Sequence, residues 1–276
     1  YMIGHALVWH SQTPGWVFEN ENGQPADRDA LLRRMKDHIQ TVVGRYKGRI
    51  QAWDVVNEAL DEDGSLRKSP WYNIIGEDYV ELAFQYAHEA DPGAALYYND
   101  YSLESSAKRA GAIRLIKSLQ AKGIPVAAVG TQGHFGLDWP SLEELEKTIT
   151  EFAALDVDVM FTEMEIDVLP TIDNYHGAEI STRGEWDPKL DPYRDGFPAE
   201  MQQKLAERYR ELFKVFLDHR DAVTRVTFWG VTDADSWKNN WPVPGRTNYP
   251  LLFDRDGQPK PAFYSVVDVA REALGK

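Results

Sequence analysis

The 276 residues are 43% hydrophobic, 12% aromatic and 27% charged, a balance that suits one large domain with a full core. A formal net charge of −14 argues against nucleic acid or an anionic membrane surface as partner, because both call for clustered Lys and Arg. The absence of cysteine removes disulfides, thiolate catalysis and cysteine-held zinc together, and no apolar run approaches the roughly 18 residues of a membrane span.

In chain order, short apolar runs alternate with helical patterns. The chain opens at Tyr1 without a visible leader, inside the apolar run 2–10 (MIGHALVWH), and so reads as a fragment or a processed piece. That run is the first predicted strand. Helical spacing follows over 27–44, where Leu31, Met35, Ile39 and Val42 form one stripe. A strand is predicted at 50–57 (IQAWDVVN), a helix at 77–90, a strand at 95–99 and a helix at 105–122 that Gly123 stops. Next come a strand at 125–130 and a helix opened by a capping box of Ser141 and Glu144. A strand at 157–163 leads into the segment 168–200, which is rich in Pro, Gly and charge and too long for an ordinary connection. It is either a functional loop or a flexible insert. A helix at 199–218, a strand at 224–230 and a helix at 261–274 complete the chain.

Most of these strands read as unbroken apolar runs, the pattern of parallel strands covered on both faces. Repeated strand–helix units give an α/β fold with right-handed crossovers. An open doubly wound sheet and a closed (β/α)8 TIM barrel both satisfy that, although about six units are visible where the barrel needs eight. No Gly-rich phosphate loop follows the first strand, which weakens the dinucleotide-binding case.

The strand ends carry the chemistry. They present His5, Trp9, His10 and Gln12, then Asn57 and Glu58, then Asn99, Asp100 and Tyr101. Gln132 and His134 follow, then Glu163 and Glu165, and last Trp229, Asp233 and Trp237. Taken singly, each has an ordinary reading. A Glu at a strand end caps or pairs, a His fills a hydrogen-bond site, a Trp is core, and Asp100 or Asp233 caps a helix. Taken together, two Glu, several His, amides and Trp suit a wet, aromatic-lined cleft better than a core. Sugars present apolar faces that stack on Trp and hydroxyls that pair with Asn, Gln and His. Glycoside hydrolysis needs one protonated and one ionised carboxyl. A metal site built from His5, His10, His134, Glu163 and Asp233 lacks any tight ligand spacing.

The stretches GHALVWHSQTPGW (4–16), WDVVNEA (53–59), YYNDYS (97–102), VGTQGH (129–134), FTEMEID (161–167), FWGVTDADSW (228–237) and PLLFD (250–254) extend the case over nearly the whole chain. Together they resemble glycoside hydrolase family 10, the retaining endo-β-1,4-xylanases. The resemblance implies a (β/α)8 barrel of which family strands 3 to 8 lie here, as one catalytic domain over 1–276. By that pattern Glu58 is the general acid/base and Glu163 the nucleophile, with carboxyls about 5–5.5 Å apart. His5, Trp9, Asn57, Gln132, His134, Trp229 and Trp237 would line the subsite of the cleaved sugar, with Asn57 on its 2-hydroxyl. Tyr101 would lie on the leaving-group side. The implied substrates are xylan and xylo-oligosaccharides, with no cofactor and no metal. The implied location is secreted, cell-surface or periplasmic in a bacterium. A binding relic and the same chemistry on another β-glycan are the competing readings, and the presence of both Glu58 and Glu163 argues against the first.

Two departures stand out. Where the family has Asp two residues after the nucleophile, this chain has Glu165, whose extra methylene changes the geometry toward His134. The family's first two β/α units, with a Glu-Asn pair and a Lys that grip the next sugar, have no counterpart in these residues. They are expected on another chain or beyond an inserted carbohydrate-binding module. Six units alone would expose unpaired strand edges. Protein made from residues 1–276 alone is therefore expected not to fold stably, and a soluble, monomeric, xylan-cleaving product in size-exclusion and activity assays would refute this.

Overall fold

The computed structural model describes residues 1–172 and 177–275; residues 173–176 of the long segment lie outside the described set. The chain divides into one unit of Tyr1–Gly130 with Glu151–Val159 and another of Thr131–Thr150 with Met160–Lys276.

In the first unit the predicted opening strand is two short ones, β1 (Ile3–Gly4) and β2 (Val8–Trp9). Helix α1 (Arg28–Arg45) follows, then β3 (Ala52–Asn57), α2 (Pro70–Ile75), α3 (Tyr79–Ala90), β4 (Ala95–Asp100), α4 (Ser106–Ala121) and all but the last residue of β5 (Ala128–Thr131). β1, β2 and β4 all pair in parallel with β3. The single-strand reading of 2–10 fails because the register slips: Gly4 lies opposite Trp53, yet Val8 lies opposite Val56. One residue more is used on the first strand, so residues 5–7 fall out of register, although the Leu7 amide still donates to the Asp54 carbonyl at 3.0 Å.

All six residues of β3 and five of the six in β4 are buried, as parallel strands with cover on both faces require. Gly4 is dictated by this packing, since a Cβ there would stand 2.1 Å from the Trp53 ring. Asp27 caps α1 by accepting from the Ala30 amide at 2.7 Å. The buried stripe of α1 is Leu31, Met35, Ile39 and Val43, a strict four-residue row; Val42, expected in the stripe, is only half-buried. The short helix α2, capped by Ser69 with Pro70 in its first turn, went unread because six residues leave no periodicity to see.

The second unit contains β6 (His134–Gly136), most of α5 (Leu142–Ala153) and of β7 (Asp158–Asp167), then α6 (Ala199–Asp218), β8 (Val223–Phe228) and α7 (Pro261–Ala273). β6 was not expected, being three residues long. It pairs in parallel with β7, placing His134 opposite Glu165. β8 also pairs with β7, but its residues stay half or fully exposed. Helix α6 buries Leu205, Tyr209, Leu212 and Phe216 on one stripe and packs against α7. The Phe216 ring meets Phe161 of β7 at 4.0 Å between centroids.

The long segment after β7 is tied down in its described part. Phe197 stacks on Tyr249 at 4.6 Å, the Tyr249 hydroxyl donates to the Tyr193 carbonyl, and the Trp241 indole donates to the Glu179 carbonyl. Among the described residues no helix is long and apolar enough to cross a membrane.

A buried ion pair fixes the approach to α7. Lys260 Nζ donates to Asp233 Oδ2 and to the Tyr249 carbonyl, both at 2.8 Å, while the Leu251 amide donates to Asp233 Oδ1. Burial pushes the Asp233 carboxyl up to about 6 against the pull of Lys260. Removing one partner strands the other charge. Lys260→Met should cost about 3–5 kcal/mol at neutral pH in urea denaturation, and Asp233→Leu/Lys260→Met should recover most of it. Because a raised carboxyl pKa favours the folded state below that pKa, the Lys260→Met deficit should shrink as pH falls through the Asp233 transition.

Candidate active site

In the first unit, β3 ends in Asn57 and hands the chain to Glu58 in the left-handed region, with φ +57°. That conformation costs a non-glycine residue on the order of 1–3 kcal/mol and persists only where the surroundings enforce it. The enforcement is visible. The Glu58 amide donates to the Asn99 carbonyl at 2.9 Å, and the Glu58 carbonyl accepts from Arg67 Nε at 3.1 Å. Arg67 also donates to the Leu60 carbonyl and to the Tyr101 hydroxyl, at 3.2 and 2.9 Å.

The Glu58 side chain is 4% exposed. Trp9 Nε1 donates to its Oε2 at 2.8 Å and Asn57 Nδ2 to its Oε1 at 3.1 Å, while His10 Nδ1 stands 3.8 Å from Oε2. The pairing of Trp9 with Asn57 across β2 and β3 brings these donors to the acid. Asn99 Nδ2 donates to Asn57 Oδ1 at 2.9 Å, which fixes the Asn57 amide with its NH2 toward Glu58. His5 binds Asp54 through Nδ1 at 2.9 Å. A cavity of about 690 Å³ lies beside His5 and Trp9, walled further by Trp16 and Trp71.

Tyr101, expected on the leaving-group side, is 1% exposed and lies under the Lys108 ammonium, 3.4 Å from its ring centroid. Its hydroxyl serves the Arg67 clamp. Arg67 itself was missed in the sequence, where a lone Arg in a loop carries no pattern.

The second unit holds the other acid. The amides of Glu163 and Glu165 donate to the carbonyls of Gln132 and Gly133, at 2.7 and 3.2 Å. Gly133 sits at φ +81° between Gln132 and His134, a position where a side chain would add strain. Strand alternation puts Glu163 and Glu165 on one face of β7, and His134 reaches both. His134 Nε2 lies 3.2 Å from Glu163 Oε2, and Nδ1 lies 2.8 Å from Glu165 Oε1. The Trp237 indole also donates to Glu165 Oε1, and its ring meets His134 edge-on at 5.2 Å. Gln132 is buried nearby, whereas Trp229, just past β8, is 39% exposed.

Burial alone would lower the His134 pKa. The hydrogen bonds to Glu163 and Glu165, with the coulombic pull of both, outweigh it and leave the imidazole raised above its ordinary 6.5. The first unit thus presents an acid on a backbone held under strain, and the second a carboxyl held by an imidazole. Among the described residues no three acidic or histidine side chains are grouped to hold a metal.

The raised His134 pKa stabilises the fold fully below the ordinary value, and that contribution is lost as pH rises through the folded one. Glu165→Gln removes one of the charges that raises it. An NMR titration of the imidazole should therefore show the His134 pKa lower than in the parent, and an unchanged pKa would count against this account.

Comparison with known proteins places these features. Residues 1–269 match the family model described as glycosyl hydrolase family 10. Endo-1,4-beta-xylanase A of Xylanibacter ruminicola is 47% identical over 264 residues, covering 96% of this chain and 72% of that protein. An endo-1,4-beta-xylanase of Geobacillus stearothermophilus is 45% identical over 268 residues, covering 96% and 76%. The solved structure of a family 10 endoxylanase retrieved from sugarcane soil metagenome matches with a TM-score of 0.95 at 53% identity, covering 98% of this chain and 78% of that one.

Proposed function

This chain belongs to glycosyl hydrolase family 10 and is a glycosidase, and from that premise we propose that it is a retaining endo-1,4-β-xylanase cleaving internal bonds of xylan. The observation that carries the mechanism is the chain of contacts from Glu163 through His134 to Glu165. A nucleophilic carboxylate must be ionised before it attacks, and the His134 imidazole stands 3.2 Å from Glu163 Oε2, placed to donate to that form.

In the first step Glu163 attacks the anomeric carbon. The bond to the leaving sugar breaks as Glu58 gives its proton to the departing oxygen, and a glycosyl ester forms on Glu163. In the second step Glu58, now ionised, takes a proton from water as the water attacks the same carbon. The ester bond breaks, Glu163 is restored, and two inversions give net retention. Trp9 and Asn57 donate to the two Glu58 oxygens at 2.8 and 3.1 Å and hold the carboxyl in place through both steps.

Asn57 is assigned to the sugar 2-hydroxyl, a contact that strengthens as positive charge develops on the ring. His5, Trp9, Gln132, His134, Trp229 and Trp237 are assigned to the wall of that subsite. Tyr101 is assigned to the leaving-group side, where it acts through Arg67 on the loop that carries Glu58. The family fold implies completion as a (β/α)8 barrel, and an insoluble extracellular polymer as substrate fits a secreted or surface-held protein.

Three measurements test the reading. NMR of the first product from xylo-oligosaccharides should show the β anomer; the α anomer would overturn retention. Glu163→Ala should abolish turnover of an aryl β-xylobioside, with azide restoring it as the α-glycosyl azide. Glu58→Ala should slow xylan cleavage by about 10²–10⁴-fold and lose less in the first step on an aryl substrate whose leaving group needs no proton. Wild-type turnover by Glu163→Ala would sink the assignment.

A further inference from the structure

Trp9 and Asn57 fix the carboxyl of Glu58, and a second, separate device fixes its backbone. The chain after the acid turns straight back on itself. Leu60 bridges Leu66 in antiparallel fashion, the Asp61 amide donates to the Ser65 carbonyl at 2.9 Å, and the Arg67 amide donates to the Ala59 carbonyl at 2.8 Å. Residues 59–67 therefore form a closed hairpin that returns Arg67 to the Glu58 carbonyl. From there one guanidinium reaches three oxygens, the carbonyls of Glu58 and Leu60 and the hydroxyl of Tyr101.

Helix α4 braces this hairpin. A Cβ on Gly64, at the hairpin tip, would collide with the Ala107 carbonyl, and one on Gly111 would collide with Gly64, so backbone lies directly on backbone. Arg114 Nη2 donates to the Gly64 carbonyl at 3.0 Å. Lys108 lies fully buried in the first turn of α4, where the helix dipole disfavours a cation. Its ammonium stands 3.0 Å from Asp100 Oδ1, which also accepts from the Tyr101 amide at 2.9 Å, and it covers the Tyr101 ring. The Tyr98 hydroxyl donates to the other Asp100 oxygen. Tyr101 is thus pinned at its backbone and its ring, and it presents its hydroxyl to Arg67 at a fixed point.

We propose that Arg67 is a positioning residue for proton transfer by Glu58, with α4 as its abutment. The inference rests on the glycosidase reading and adds to it the group that sets the aim of the acid. The left-handed φ of +57° at Glu58 directs its Cα–Cβ bond, and a residue free to relax returns to negative φ and redirects the carboxyl. Arg67 opposes that relaxation by gripping two carbonyls of the turn, a task for a planar fork and not for a point charge. These contacts run to carbonyls and a phenol, not to the carboxyl itself. A displacement of about 1 Å in a catalytic group costs about 10²-fold in rate. Here the loss falls on the steps in which Glu58 moves a proton, because Glu163 is held by other elements.

The test uses variants of the complete protein and two substrates, a xylo-oligosaccharide and a dinitrophenyl β-xylobioside whose leaving group departs without a proton. Arg67→Met should lower kcat/KM on the oligosaccharide by about 10²-fold and on the dinitrophenyl substrate by less than about threefold. Arg67→Lys, which keeps the charge but not the fork, should show the same selectivity at about tenfold. Azide attacks without a base, so it should raise kcat of Arg67→Met on the dinitrophenyl substrate and release the β-glycosyl azide, an effect absent from the wild type. In a Glu58→Ala background, Arg67→Met should change oligosaccharide cleavage by less than about twofold, since the acid it aims is gone. Circular dichroism checks that each variant is folded. Equal losses on both substrates in a folded Arg67→Met or Arg67→Lys, or a further loss beyond Glu58→Ala, overturn the proposal and leave Arg67 a purely structural residue. Unchanged oligosaccharide cleavage overturns it as well. A wild type that cuts neither substrate fails the glycosidase reading itself, and this one falls with it.

Discussion

Two carboxyls on one face of one strand, neighbours in the alternation, are costly to bury unless a hydrogen-bonding group stands between them. That constraint organises the second unit. Glu163 and Glu165 share His134, and everything around the histidine serves to keep it there. The parallel register of β6 on β7 sets it opposite Glu165, Gly133 supplies the turn before it, and Trp237 ties down the outer acid. The extra methylene of Glu165 over an aspartate is absorbed without losing contact, since Oε1 still reaches Nδ1 at 2.8 Å. Burying these three polar groups costs desolvation, and their mutual hydrogen bonds offset it.

The first unit solves a different problem. Its acid leaves the end of a buried strand and must turn its side chain away from the core. A left-handed residue does this in one step, and the strain is borne by hydrogen bonds on both sides of the peptide. Arg67 is the economical part of the arrangement, for one guanidinium holds the Glu58 and Leu60 carbonyls and the Tyr101 hydroxyl at once. The same network sets the flip of Asn57, because Asn99 can donate to it only in one orientation.

Much of this was legible in the sequence. Long helices announced themselves by stripe and cap, and α6 ran over the predicted 199–218. The acids, amides and indoles stood at strand ends, where a parallel α/β fold collects polar groups. What could not be read were features that depend on partners far along the chain. The slip that splits β1 from β2 is set by register against β3, and no property of residues 5–7 foretells it. β6 is too short for any period, and Arg67 works through main-chain atoms that leave no mark on neighbouring residue types. β8 erred the other way: an apolar run promises burial, but a strand is buried only when something lies on it.

The long segment after β7 meets residues 241–249 largely through its own main chain. Gly184 gives its amide to Pro242, Glu179 offers its carbonyl to Trp241 and Tyr193 offers its carbonyl to Tyr249, while Asp191 uses a side chain toward the Thr247 amide. A path held by backbone atoms is indifferent to most of the residues strung along it. Mutational drift can therefore rewrite the solvent-facing side chains of this stretch while its course stays put. Lineages can in this way try new surfaces there at little risk to folding.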